Sequence, residues 1–342
     1  MNTYNHQIPM FKSLSIIALA MGLAGCFGTN SQSSGNTSAE EIPDWVTSPP
    51  KSSTYLYGVG SASRIENLAL AFTQAEQNGN AQIAQQLRTQ VSQVNTQDIQ
   101  VNSSGNGAED VRKTNTAYTR VSTAPIELEQ AVNEQRFAGE QYVYALQSVD
   151  RSRIESRLQQ KIIEQDSLIR QQANRLNPGI QTQDWSTYMG LIPLFAQRNS
   201  YQSELNLYST NHDIQGQAAT DIRDIETQLN DALLSFGFDV SNSEQASSLA
   251  SALSGFGFTP KANGVFQLQS KTQQHNEIQN GRYYVFEEGT LDLIGPTGEH
   301  LASWTVSARG IGKNQLRATE QASTAWSTQA VEAMFLWLTR ID

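Results

Sequence analysis

YLYGVGSASRIENLALAFTQAEQNGNAQIAQQL, residues Tyr55–Leu87, is the stretch from which the rest of the chain is read. Tyr55, Leu56 and Tyr57 form a short apolar run of strand formers. Gly58 and Gly60 permit a sharp backbone reversal, and Leu68, Phe72, Ala75, Ile83, Ala84 and Leu87 then recur at helical spacing. The pattern predicts a strand, a glycine turn and a long alanine-faced helix ending near Leu87. A related sentence closes the chain: Trp304–Arg309 precedes Gly310 and Gly312, and Ala318, Ala322, Ala325, Val331, Phe335 and Leu338 follow with helical period. Two domains that share one supersecondary unit are therefore expected.

Length agrees with that reading, because 342 residues exceed the usual size of one hydrophobic core. The chain is 38% hydrophobic and only 16% charged, so charge-driven disorder is not its class. A formal net charge of -10 with no basic stripe argues against nucleic acid and against electrostatic binding to anionic lipid. The single cysteine, Cys26, allows no internal disulfide. The histidines at 6, 212, 275 and 300 share no metal-ligand spacing, so neither a metal site nor a cofactor is expected.

Cys26 has another meaning. From Met10 the chain reads MFKSLSIIALAMGLAGC, with a lone Lys12 and an apolar run from Leu14 to Leu23. That run is too short to span a bilayer stably and reads as a secretory signal over residues 1–25. Leu23-Ala24-Gly25-Cys26 resembles the bacterial lipobox, which implies cleavage before Cys26 and acylation of the new terminus. Among such lipoproteins an inner-membrane retention signal would place Asp after the cysteine. Phe27 stands there instead, and implies the outer membrane. At about 0.8 kcal/mol per buried methylene, two or more acyl chains, palmitate among them, anchor a protein stably. Residues 26–40, rich in Ser, Asn and Gly, read as a flexible tether holding a periplasmic or surface-facing body.

The Gly58-Val59-Gly60 motif does not read as a dinucleotide fingerprint, since Ser63 occupies the third glycine position. Beyond the first helix, Thr89–Val121 is rich in Gln, Asn, Thr and Val. It is read as a solvated β-ribbon turning at Ser103-Ser104-Gly105-Asn106-Gly107, whose Gln93–Val121 edge serves self-association or partner binding. Val132–Arg136 and Gln141–Val149, either side of Phe137-Ala138-Gly139-Glu140, predict a hairpin.

Pro43-x-Trp45, the Gly58-Val59-Gly60-Ser61-Ala62 segment after an aromatic, the alanine-rich helix, and Tyr142-Val143-Tyr144-Ala145-Leu146 running into Val149-Asp150-Arg151 together resemble the lipoprotein-20 (Lpp-20) family of bacterial envelope proteins. The likeness covers about residues 41–165. It implies a small α/β sandwich on a membrane-anchored envelope lipoprotein, with flagellum-associated members in the family and no catalytic residues to carry over.

Ile154, Leu158, Ile162, Ile169, Ala173 and Leu176 mark a helix stopped by Asn177-Pro178-Gly179. Asp184–Tyr208 predicts another, kinked or restarted near Pro193, so that residues 151–214 form a helical hairpin connector. The C-terminal part then reads as helix, strand, short helix, three or four antiparallel strands and a closing helix. Its pattern is weakly similar to the N-terminal domain of TolB. The expected fold is α+β: two small α/β sandwich domains, 41–150 and 215–342, built from antiparallel sheets with packed helices and joined by the hairpin.

No Gly-x-Ser-x-Gly, phosphate-loop, His-Glu-x-x-His or calcium-loop motif is present. His212-Asp213 reads as a solvated linker, and Glu287-Glu288, being neighbours on a strand, must point to opposite faces. Tyr283, Tyr284, Phe286, Trp304, Trp326 and Trp337 read as an aromatic core in preference to a ligand pocket. The reading is a non-enzymatic, outer-membrane-anchored lipoprotein that binds other envelope proteins or itself. The alternatives are an envelope glycan-modifying enzyme or a periplasmic small-molecule carrier.

Overall fold

The computed structural model describes residues 41–101, 117, 131–209 and 218–340, with residues 88–101 described in their backbone only. The signal, the lipobox-like Cys26, the tether and His212-Asp213 lie outside the described residues.

Strand β1 (Tyr55–Ser63) is followed by helix α2 (Leu68–Val101) after the short α1 (Asp44–Thr47), and strands β2 (Val132–Ala138) and β3 (Tyr142–Asp150) form the hairpin read from the sequence. These make a three-stranded antiparallel sheet in the order β1-β3-β2. Asp150 ends β3 and caps α3 (Arg151–Ala173) by accepting from the Arg153 amide. Ile154, Leu158, Ile162 and Ile169, the apolar stripe of that helix, are all buried.

Helix α4 (Trp185–Tyr208) returns antiparallel to α3 and runs unbroken through Pro193. Of the kink or restart expected there, the restart does not occur: the lost N–H bond is one of many, and Pro193 lies in a buried stretch from Leu191 to Ala196 whose packing holds the helix together. Helix α5 (Thr220–Phe236), the two-residue β4 (Phe238–Asp239) and α6 (Ala246–Gly255) then lead into long strands β5 (Phe266–Gln279), β6 (Arg282–Ile294) and β7 (His300–Gly312). The second sheet runs β4-β5-β6-β7, antiparallel except that β4 pairs parallel to β5. Helix α7 (Gln315–Leu338) closes the chain, capped by Asn314 accepting from the Arg317 amide.

The protein is thus α+β, with helices packed on two sheets. Each sheet has its own apolar interior, and α4 contributes to both. Tyr188, Met189, Leu191, Ile192 and Phe195 join the large aromatic core with Phe236, Phe238, Phe266, Trp326 and Phe335. Leu205 and Tyr208, further along the same helix, join Leu56, Ile83, Val149 and Leu158 under the first sheet.

Two expectations fail in the same way. No turn forms at Gly58 and Gly60 or at Gly310 and Gly312: all four lie inside strands β1 and β7. Their use is the missing side chain. A Cβ on Gly60 would run into the Ala75 carbonyl oxygen and Gly79 nitrogen of α2, and one on Gly310 into the Ala318 carbonyl oxygen and Ala322 nitrogen of α7. Strand and helix backbones touch there.

A further correction concerns the polar ribbon. Residues 89–101 continue α2, so an extended edge beginning at Gln93 is ruled out over that length. Residues 102–116 and 118–130 lie outside the described residues. Leu87, Val91, Val94 and Val101 follow helical spacing, and Val or Thr costs a helix only a few tenths of a kcal/mol per residue once the preceding turns exist.

Candidate functional site

The two faces of the first sheet are chemically unlike. Even-numbered residues of β1 and their odd-numbered partners in β3 face α2: Leu56 opposite Val149, Gly58 opposite Gln147, Gly60 opposite Ala145 and Ala62 opposite Val143. This side is small and dry, with Ala62, Ala71, Ala75, Val143 and Ala145 forming one cluster. The outer edge of β1 is also closed. Asn78 Nδ2 donates to the Ser61 carbonyl at 2.8 Å, the Val59 amide donates to Gln82 Oε1 at 2.6 Å, and Gln86 Nε2 donates to the Tyr57 carbonyl at 2.9 Å. Amides four residues apart on a helix rise about 6 Å, close to the spacing of alternate residues along a strand, so one helix row serves one strand edge.

The opposite face carries aromatic side chains. By register, Tyr55, Tyr57 and Val59 of β1, Tyr142, Tyr144 and Leu146 of β3, and Phe137 of β2 share it. Phe137 stacks on Tyr144 with centroids 6.3 Å apart, Tyr142 lies 6.5 Å from Tyr144, and Tyr55 lies 6.1 Å from Tyr57. Tyr142 is 48% exposed and Tyr55 37%, while Leu146 between them is buried. Aromatic rings with phenolic tips on a rigid sheet are suited to holding a protein partner, because they offer a large contact area with few torsions to freeze. The sequence reading placed Tyr55, Tyr57, Tyr142, Tyr144 and Leu146 in strands, but Val59 in a glycine turn and Phe137 in the hairpin turn, where the structure has both inside strands, and it did not gather them; the missing signal was the pairing register.

At one end of this sheet the segment Val149-Asp150-Arg151 is a structural joint. The Arg151 amide donates to the Thr54 carbonyl at 2.8 Å, extending the β1–β3 ladder by a residue. Burial lowers the Arg151 guanidinium pKa, opposed by the charge of Glu155. Burial likewise raises Glu155, against the pull of Arg151 and a hydrogen bond to Ser209 at the end of α4. These groups fasten α3, α4 and the sheet together.

The second sheet holds a buried carboxylate. Glu287 is fully buried, whereas Glu288 beside it is exposed, as strand alternation requires. Gln245 donates to Glu287 Oε1 at 2.6 Å, Ser323 donates to Oε2 at 2.6 Å, and Gln274 reaches Oε2 at 3.3 Å. The acid ties the α6 side, β5 and α7 to β6. With its oxygens occupied inside the sheet–helix interface, it is a structural group with no route to a substrate. The tryptophans behave as core: Trp326 is fully buried, donating to the Val306 carbonyl at 3.0 Å. Trp304 and Trp337 pack edge-on, 6.0 Å apart, beside it. Tyr283, Tyr284 and Phe286 are partly buried on β6.

Among the described residues no group of His, Cys, Asp and Glu is arranged to hold a metal, and no helix is long and apolar enough to cross a membrane. Residues 43–150, the segment that contains the aromatic face, match the LPP20 lipoprotein family, in agreement with the likeness read from the sequence and in support of an envelope lipoprotein. No curated protein matches the chain. A crystal structure of a secreted protein from the human pathogen Helicobacter pylori is similar over 82% of this chain and 98% of its own length. Its identity is 14% and its TM-score 0.37.

Proposed function

We propose that this protein is an outer-membrane lipoprotein, acylated at Cys26, that acts as a binding component of the cell envelope through the aromatic face of its first sheet. The observation that carries this reading is the match of residues 43–150 to a lipoprotein family in a chain that also places Leu-Ala-Gly-Cys at residues 23–26. The net charge of -10 leaves electrostatic attraction to anionic lipid unavailable as an anchor, so attachment rests on acyl chains. The neutral, tyrosine-rich face suits a protein partner better than a polyanion.

Two measurements test it. Mass spectrometry of the mature N-terminus should show a multiply acylated Cys26, and Cys26→Ala should move the protein out of the outer-membrane fraction of a density gradient. An unmodified thiol, or unchanged fractionation of the variant, ends the anchor reading. A photo-crosslinking residue at Tyr142 should give a discrete adduct in intact cells, while the same residue at Leu316, 68% exposed on α7, should not. Equal labelling at both positions removes the aromatic face as the binding surface.

A further inference from the structure

Strand β5 lies at one margin of the second sheet, beyond the two residues of β4, and only its first half is covered. Its even-numbered residues turn their amides and carbonyls away from β6, and the chain between β4 and α6 meets them in order. The Ser243 hydroxyl donates to the Leu268 carbonyl at 2.6 Å, the Glu244 amide donates to the Ser270 carbonyl at 3.4 Å, and the Thr272 amide donates to Glu244 Oε2 at 2.6 Å. The cover stops there. Among the described residues nothing bonds to the outward amides and carbonyls of Gln274, Asn276 and Ile278, although the strand is held in register against β6 as far as Gln279. Ile278 is 66% exposed, and Gln274, His275 and Asn276 are exposed with it.

A strand margin of this kind is normally closed by a bulge, a proline or an inward-pointing charge. None of these interrupts residues 273–279, which pair regularly with β6 and contain no proline. Their side chains fit an antiparallel copy of the same segment. With Asn276 opposite Asn276 of a second copy, Gln274 stands opposite Ile278, and the outward groups of these three residues can make about six hydrogen bonds. On the outer face His275 then meets Glu277 of the second copy, twice by symmetry, and Gln273 meets Gln279. Neighbouring registers are poorer. Centring on Gln274 needs the Thr272 amide that Glu244 already holds, centring on His275 sets that ring against itself, and centring on Glu277 opposes two carboxylates.

We propose that two copies of this chain pair through the uncovered half of β5, antiparallel and centred on Asn276, joining their second sheets into one continuous sheet. Within one chain His275 lies 3.4 Å from Glu277, so both groups already stand on the face where the same two residues of the second copy arrive. The contact is smaller than a standard stable interface, which makes the association weak and concentration-dependent. It involves a different sheet from the aromatic face and does not rest on acylation of Cys26.

The test is disulfide trapping in the full chain carrying Cys26→Ser, so that each introduced thiol is the only one, in a non-ionic detergent at about 100 μM to suit a weak contact. Opposed residues of a hydrogen-bonded antiparallel pair lie about 5.5 Å apart at Cα, within the span of a disulfide. Asn276→Cys should therefore cross-link at least tenfold faster than Gln274→Cys or Ile278→Cys does alone, and an equimolar mixture of those two should recover most of the fast rate. In the Asn276→Cys chain, Glu277→Lys should slow the reaction at least threefold, and His275→Glu added to it should restore the rate by exchanging the charges across the pair. The thermal midpoint of each variant should match that of the parent, which separates loss of pairing from loss of the fold. Equal rates at 274, 276 and 278, a charge exchange that restores nothing, or trapping by Ser307→Cys on β7 as fast as by Asn276→Cys overturns the proposal.

Discussion

The β1–α2 and β7–α7 joints solve one packing problem with different materials. In both, a Gly-x-Gly strand lies against the backbone of the helix that follows it, and the amide of the middle residue is met by a helix glutamine: Val59 by Gln82, Ile311 by Gln321 at 3.1 Å. At the N-terminal joint glycine stands on both sides, since a Cβ on Gly79 of α2 would itself come 3.1 Å from the Gly58 carbonyl. At the C-terminal joint the helix offers Ala318 and Ala322 instead. The difference follows from what else holds each helix. Helix α7 is gripped by Trp326, Met334 and Phe335 in the large aromatic core. Near Gly60 α2 has mainly Ala71 and Ala75, which bury little area, with Ile83 beside Gly58, so the contact depends largely on close backbone approach and on the row of Asn78, Gln82 and Gln86.

The largest expected effect breaks the comparison at α4. A fragment of residues 215–342 keeps β7 and α7 but loses Tyr188, Leu191, Ile192 and Phe195 from its core, while 178–342 keeps them. In urea the longer fragment should unfold cooperatively and the shorter should lack a cooperative transition. Equal cooperativity would show that α4 only covers that core.

Next come the glycines. Gly60→Ala and Gly310→Ala each place a methyl group against helix backbone that has no side chain to move aside, and each should lose about 3 kcal/mol in urea unfolding. Gly255→Ala at the end of α6, where nothing lies within 4 Å, should be neutral or gain up to about 1 kcal/mol. The comparison sharpens if Gly60→Ala costs more than Gly310→Ala, as the smaller apolar clusters beside α2 require.

The buried polar groups of the two joints should differ in sign. Glu287→Ala strands Gln245 and Ser323 and should cost about 3 kcal/mol. Gln147, facing α2 with its Nε2 buried and without a partner, should tolerate Leu at little or no cost. The smallest effect belongs to the edge amides: Gln82→Ala and Gln321→Ala should each cost about 1 kcal/mol. Removing Asn78, Gln82 and Gln86 together should in addition produce concentration-dependent association in sedimentation, because it opens the β1 edge.

Much of this was legible in the chain. The Tyr142–Leu146 strand, the buried stripe from Ile154 to Ile169 and the opposed Glu287 and Glu288 follow from local periodicity. What was not legible depended on partners distant in sequence. Glycine has two uses, freedom of φ and absence of Cβ, and the residues around Gly58 and Gly60 fit either. The sign that decided between them, small residues Ala71, Ala75 and Gly79 four apart on the next helix, has meaning only once strand and helix are in contact. The polar run after Leu87 was read by its β-formers, while its spacing was helical. The aromatic face needed a register that no single segment contains.

Everything said of the N-terminal joint requires that Gly58 and Gly60 lie within a continuous strand under α2. Residue-resolved amide exchange of the full chain reports it. The account predicts slow exchange for Gly58, Val59 and Gly60, matching that of Ala145 and Gln147 across the ladder, with Val59 alone accelerated by Gln82→Ala. Rapid exchange at these three amides in the unsubstituted protein would place them in an open turn and contradict it.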